Sequence, residues 1–279
     1  MADEKFPPLD PSSIDGTRKA VHAYARVAGA WSKALRKKRK HWWHASMRPS
    51  LYGLTTGVIY GKTDFEIEVD LANSQLCVRT CSSQVGERLT GQSSSRIAET
   101  VSNALRAAGF DPDDAVSTGA VVSDDEYPTY SADQANLMHR ALGSIAAVLE
   151  DFRATIREEK SPIQVWPHHF DLSMIWLPGP KVPGQDVANE EYADKQMNFG
   201  FAFGDEAIPE PYFYVTAYPL PDSLPNEPLP DGTVWHSDGF DGAVLKYREL
   251  TTMQDPAAYL IDMWTGLLEA ARGQLSSEN

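Results

Sequence analysis

Asp64-Phe65-Glu66-Ile67-Glu68-Val69-Asp70-Leu71 alternates without a break. Successive side chains on a strand point to opposite faces, so Phe65, Ile67, Val69 and Leu71 share one face and four carboxylates share the other. Such a run is a half-buried antiparallel strand, because an all-parallel sheet covered on both faces reads as continuously apolar. Ala72-Asn73-Ser74-Gln75 is a turn, and Leu76–Cys81 returns as the next strand.

Working outward, the pattern changes period. Before the strands, Ile14, Val21, Tyr24, Ala28, Trp31 and Leu35 recur at three- and four-residue steps, the stripe of an amphipathic helix that Ser12 or Asp15 can cap. The basic run Arg36-Lys37-Lys38-Arg39-Lys40 closes it, as suits the helix dipole. His41 to Arg48 and Leu51 to Tyr60, aromatic and β-branched, are expected strands with a corner at Pro49-Ser50. After Cys81 a Ser-rich loop leads to a helix marked by Ile97, Val101, Leu105 and Ala108.

Residues 131–279 repeat that order. Ser131 and Gln134 have capping-box spacing, and the stripe Met138, Leu142, Ile145, Leu149, Phe152 and Ile156 follows. Strands are expected over Ile163–Leu177 (broken near Pro167), Phe199–Phe203, Tyr212–Tyr218 and Val234–Leu250. Asp255 before Pro256 starts a last helix. The fold class is therefore α+β, with antiparallel sheets and flanking helices. The expected organisation is a flexible arm over 1–13, a helix–sheet–helix half over 14–110, a connector over 111–130 and a second half over 131–279. Similar element order suggests an internal duplication, the halves merging into one sheet or packing as two.

Composition narrows the function. The chain has 279 residues, 42% of them hydrophobic, and a formal charge of −14. That charge opposes non-specific nucleic-acid binding, which needs a basic field. It conceals an asymmetry: residues 1–50 balance at +7 and the rest at −21. The basic helix end is expected to meet the acidic face of Glu66 and Glu68, within the chain or across a homodimer. No run of about 18 apolar residues marks a membrane span, and MADEKFPPLDPSS lacks the apolar core of a secretion signal. A cytoplasmic protein with no membrane or nucleic-acid partner is expected. Cys77 and Cys81, about 13 Å apart along a strand, are expected to be free thiols.

No phosphate-binding glycine loop, nucleophile elbow, zincin or EF-hand pattern is present, so no cofactor is implied. A metal site is ranked below a metal-free pocket. Strand parity groups the remaining candidates. His44, Ser46 and Arg48 share one face; His169, Asp171 and Ser173 share another, opposite a nearly apolar face that makes His168 a core residue. If the polar faces meet in one cleft, His44, His169 and Asp171 act as acid, base and orienter of a small-molecule enzyme, with Arg48 on the ligand. Alternatively these are the ordinary polar faces of half-buried sheets. Tyr212, Tyr214 and Tyr218 share parity and offer apolar area with polar tips to a small ligand. His236 and Asp238, in a polar turn, are placed to orient one another. A non-catalytic ligand-binding or interaction protein with an aromatic cleft is the second function carried forward.

HWWHASMRPSLYGLTTGVI, FEIEVDL, SPIQVWPHHFDLSMIWLPG, FGFAFGD and PEPYFYVTAYP together resemble a mainly bacterial domain-of-unknown-function family (number 5996). The resemblance runs from about the first helix to the last. It implies a stand-alone soluble protein and carries over no activity, cofactor or site residue.

Overall fold

The computed structural model describes residues 5–110 and 122–277. The expected connector therefore lies partly outside the described residues, as does the start of the expected arm. In chain order the elements are α1 (Pro11–Leu35), β1 (Arg48–Pro49), β2 (Gly53–Thr55), β3 (Phe65–Asp70), β4 (Gln75–Thr80), β5 (Gln84–Arg88), α2 (Ser94–Ala107), α3 (Ala132–Thr155), β6 (Glu159–Lys160), β7 (Gln164–Trp166), β8 (Asp171–Leu177), β9 (Gln196–Ala202), β10 (Tyr212–Tyr218), β11 (Thr233–His236), β12 (Gly242–Lys246), α4 (Tyr247–Leu250) and α5 (Pro256–Leu275). Helices and two antiparallel sheets make this an α+β protein. Two compact units are present. One comprises Asp10–Gly143 and Gln164–Phe170, and the other Met1–Leu9, Ser144–Ile163 and Asp171–Asn279.

The first-sheet unit holds the meander β1-β2-β3-β4-β5. Ile67 and Val69 of β3 are fully buried, as the alternation requires. Its acidic face is covered as well. Glu66 lies opposite Arg79 in the ladder. Arg79 Nη1 reaches Glu68 Oε2 at 2.6 Å, while Ser50 and Thr55 donate to Glu68 and Glu66 at 2.6 and 2.5 Å. The cation on this face is thus a cross-strand arginine. In the basic run, Arg36 instead turns back and donates to the carbonyls of Thr56, Gly57 and Val58. Tyr24 and Trp31 of α1 fill the core, and Trp31 meets Phe65 edge-on at 5.9 Å. Asp10 accepts from Ser13 N and, with Pro11 behind it, starts α1 three residues before the predicted Ile14. β5 falls where a Ser-rich loop is predicted. Its residues are largely exposed, so it carries little hydrophobic signal. Cys77 and Cys81 are free thiols.

The main departure is at Lys40–Ala45. The predicted strand is a 3₁₀ turn in which His41 (φ 51°) and Trp42 (φ 57°) are left-handed. Such a backbone costs about 1–3 kcal/mol per non-glycine residue and needs surrounding contacts to hold it. Gln164 supplies them, donating to Trp43 O at 3.2 Å and Ser46 Oγ at 2.5 Å. Beside it, Met47 and Val165 exchange backbone hydrogen bonds of 2.9 and 3.0 Å. Face parity therefore does not apply to His41 or His44.

In the second-sheet unit the strand order is β11-β12-β10-β9-β8-β6, unlike the sequential order of the other sheet. Phe199 of β9 and Phe213 of β10 point into an aromatic core with Phe152 of α3 and Trp264 of α5. Asp255 caps α5 through Ala258 N, as its Asp-Pro start predicts. Part of the expected arm is packed in place. Phe6 and Leu9 are buried, and Tyr247 Oη donates to Pro7 O at 2.9 Å.

Candidate functional site

The predicted site residues divide between the units. In the first-sheet unit, His44 is buried. Its Nδ1 accepts the Arg39 N–H at 3.2 Å and its ring stacks on Trp42 at 5.6 Å. Arg48 is exposed on β1. His168 and His169 are not on a strand: Pro167–Phe170 form a turn, with Phe170 at φ 58°. Both imidazoles are exposed, which corrects the reading of His168 as a core residue. Their rings lie 4.2 Å apart.

The turn docks on α1. The Pro167 ring sits where a Cβ on Gly29 would stand. His22 Nε2 donates to Pro167 O at 3.0 Å, and its ring stacks on Phe170 at 5.3 Å. His22, Arg26, Gly29 and Lys33 are spaced four, three and four residues apart, one stripe of a helix. Beyond them Lys33 and Lys38 lie over the Trp42 ring at 5.7 and 5.1 Å. His168 is held to about 4, first by desolvation among its neighbours and then by electrostatic repulsion from His169, Lys33, His22 and Arg26. His22 is likewise lowered, first by burial and then by Arg26.

In the second-sheet unit, Asp171 and Ser173 keep the shared parity expected of a strand. Ser173 of β8, Gly200 of β9 and Tyr214 of β10 stand in one row of the ladder. Gly200 matters here because a Cβ at that position would overlap the Tyr214 ring. Without it the ring crosses β9 and its hydroxyl donates to Asp171 Oδ2. Tyr212, on the same face, donates to Asp205 Oδ2 at 2.5 Å. The Asp205 loop is itself ordered by Asp205 Oδ1, which accepts from Ala207 N and Ile208 N at 2.9 and 2.8 Å. Burial, followed by the Asp171 charge, drives the Tyr214 hydroxyl well above the usual phenol range. Tyr212 rises for the same kinds of reason, burial first and then Asp205. Both phenols are therefore neutral donors at neutral pH.

Aromatic rings continue this face. Tyr212 and Tyr214 are 6.2 Å apart, Phe240 stacks near Tyr212 at 6.5 Å, and His236 lies 4.6 Å from Phe240. His236 Nε2 donates to the backbone carbonyl of Asp238 at 2.7 Å, so the pair meets through main chain and not through the carboxylate. Tyr218 is set apart from the other two tyrosines: it packs edge-on to Tyr192 at 4.9 Å and accepts from Gln185 at 3.2 Å. Asp205, Phe240 and Gly200 belong to this constellation although strand parity does not single them out. Asp205 lies in a loop, where a two-residue period carries no information, and Gly200 has no side chain to register. Among the described residues no group of three His, Cys, Asp or Glu side chains is arranged to hold a metal. Among them, too, no helix is long and apolar enough to cross a membrane.

Residues 6–275 match a family of unknown function (DUF5996). No curated protein and no solved structure matches the chain.

Proposed function

We propose that this chain, which belongs to the DUF5996 family of unknown function, is a small-ligand-binding protein whose recognition surface is the tyrosine face of its second sheet. The observation that carries this reading is the Tyr214 ring laid across Gly200 with its hydroxyl on Asp171. Rings fixed by hydrogen bonds lose little further freedom when a ligand arrives, so more of the contact energy appears as affinity. Phe240 and His236, both half-buried, extend the same apolar area.

The chemistry of the face selects the ligand. Two carboxylates, Asp171 and Asp205, stand behind neutral phenols. Asp171 is buried beneath the rings and Asp205 is exposed beside them, so the local charge is negative, which favours a flat neutral or cationic molecule and disfavours an anion.

Thermal-shift screening with flat neutral and cationic compounds, followed by calorimetry on the hits, tests this. Tyr214→Phe and Phe240→Ala are each expected to weaken binding about tenfold, the loss of one hydrogen bond or one ring contact. Circular dichroism serves as the check on folding. Hits bound equally well by both folded variants overturn the proposal. Conversion of a bound compound, abolished by His44→Ala or His169→Ala, would favour instead an acid–base enzyme.

A further inference from the structure

We propose that the α1 stripe His22, Arg26 and Lys33, together with the His168–His169 turn, forms a second binding site, one for the phosphoryl group of a small molecule. It is separate from the tyrosine face and takes ligands of opposite charge.

Three observations converge. The first is charge without compensation. Among the described residues neither Arg26 nor Lys33 forms an ion pair, and the ionisable groups that act on His168 are His22, Arg26 and Lys33 from α1 and His169 from its own turn. All are cationic or become so on protonation. Charges of one sign held together lower each other's stability, and a bound dianion removes that repulsion while gaining charge-assisted hydrogen bonds.

The second is construction. The turn is not a loose loop: Pro167 is seated against Gly29, His22 holds the Pro167 carbonyl and stacks on Phe170, and Phe170 takes a left-handed backbone. Anchors on both sides of His168 and His169 leave those two rings exposed. Strained non-glycine backbone concentrates where side chains are being aimed, and here the aimed residues are the ones that present N–H donors.

The third is continuity. Lys33 links the histidine turn to Trp42, whose ring also carries Lys38. The left-handed His41–Trp42 pair brings that ring to the basic helix end. A phosphoryl group between His168, Arg26 and Lys33 would thus have an aromatic surface nearby for the rest of its molecule. The acidic remainder of the chain, −21 beyond residue 50, opposes a long polyanion and favours a small one.

Histidine proton NMR in inorganic phosphate, at constant ionic strength, tests the site, with His168 assigned from His168→Gln. Phosphate is expected to raise the His168 midpoint by about one unit, equivalent to about tenfold tighter binding to the protonated form. The rise should vanish in the Arg26→Gln, Lys33→Gln double variant. Should that variant misfold, raising the salt concentration on the wild-type chain gives the same readout, since a charge-based effect must shrink. An unmoved midpoint, or a shift that persists in the folded double variant, overturns the proposal. Displacement of phosphate by a short single-stranded DNA at far lower concentration than by phenyl phosphate would overturn the small-molecule assignment in favour of nucleic acid.

Discussion

Gly29 and Pro167 are in direct contact, the pyrrolidine ring occupying the space a side chain at position 29 would need. This contact seats the histidine turn on α1, and it explains a glycine inside a 25-residue helix where that residue ordinarily costs about 1 kcal/mol.

Gly29→Ala is therefore expected to destabilise the protein by about 1–2 kcal/mol, overpacking outweighing the gain in helix propensity. Gly143 is the internal control. It lies in α3, and a Cβ added there would have no neighbouring atom within 4 Å, so Gly143→Ala is expected to stabilise by up to about 1 kcal/mol. Urea unfolding midpoints of the two variants should move in opposite directions.

Acidification should weaken the fold above the range where carboxylates titrate. His168 is held at about 4 against an ordinary 6.5, and His22 and His139 are lowered too, both chiefly by burial. A depressed histidine means that the unfolded chain takes up protons first. The stability it contributes is complete above pH 6.5 and is lost progressively as pH falls toward 4. Urea midpoints at pH 7 and pH 5 should show the fall, and His168→Gln should flatten it. An unchanged slope in that variant would remove His168 from the account.

The segment before α1 should matter to stability. Phe6 is 8% exposed, and Tyr247 Oη is bonded to Pro7 O. Phe6→Ala is expected to cost about 3 kcal/mol and Tyr247→Phe about 1 kcal/mol. Thermal unfolding of both variants checks this, and a wild-type melting temperature for Phe6→Ala would contradict it.

What could be read from sequence follows physical range. The period-two run over Phe65–Asp70 and the 3.6-period stripe of α1 record burial, and burial is local to each residue. Asp255 and Pro256 record a helix start by their own chemistry. His41 and Trp42 mislead because aromatic residues favour strands, while the contacts that hold them left-handed come from Gln164, more than 100 residues away. His168 misleads for a related reason: Pro167 signals a break, but only Gly29 and His22 decide that the break is a four-residue turn. Tyr212 and Tyr214 share a face as their spacing predicts, since parity survives inside a regular strand. Their partners Asp171 and Asp205 are set by the ladder register and by a loop, and neither is written in the spacing of the tyrosines.

The allocation of segments between the two units has a genetic consequence. Phe6 and Leu9 at one end of the chain belong with β8–β12, while Gln164–Phe170, from early in the later half, belongs with α1 and the first sheet. Each unit is thus assembled from stretches that leapfrog one another along the gene. A single crossover or truncation point cannot deliver either one whole, so the two must be inherited, exchanged and expressed together.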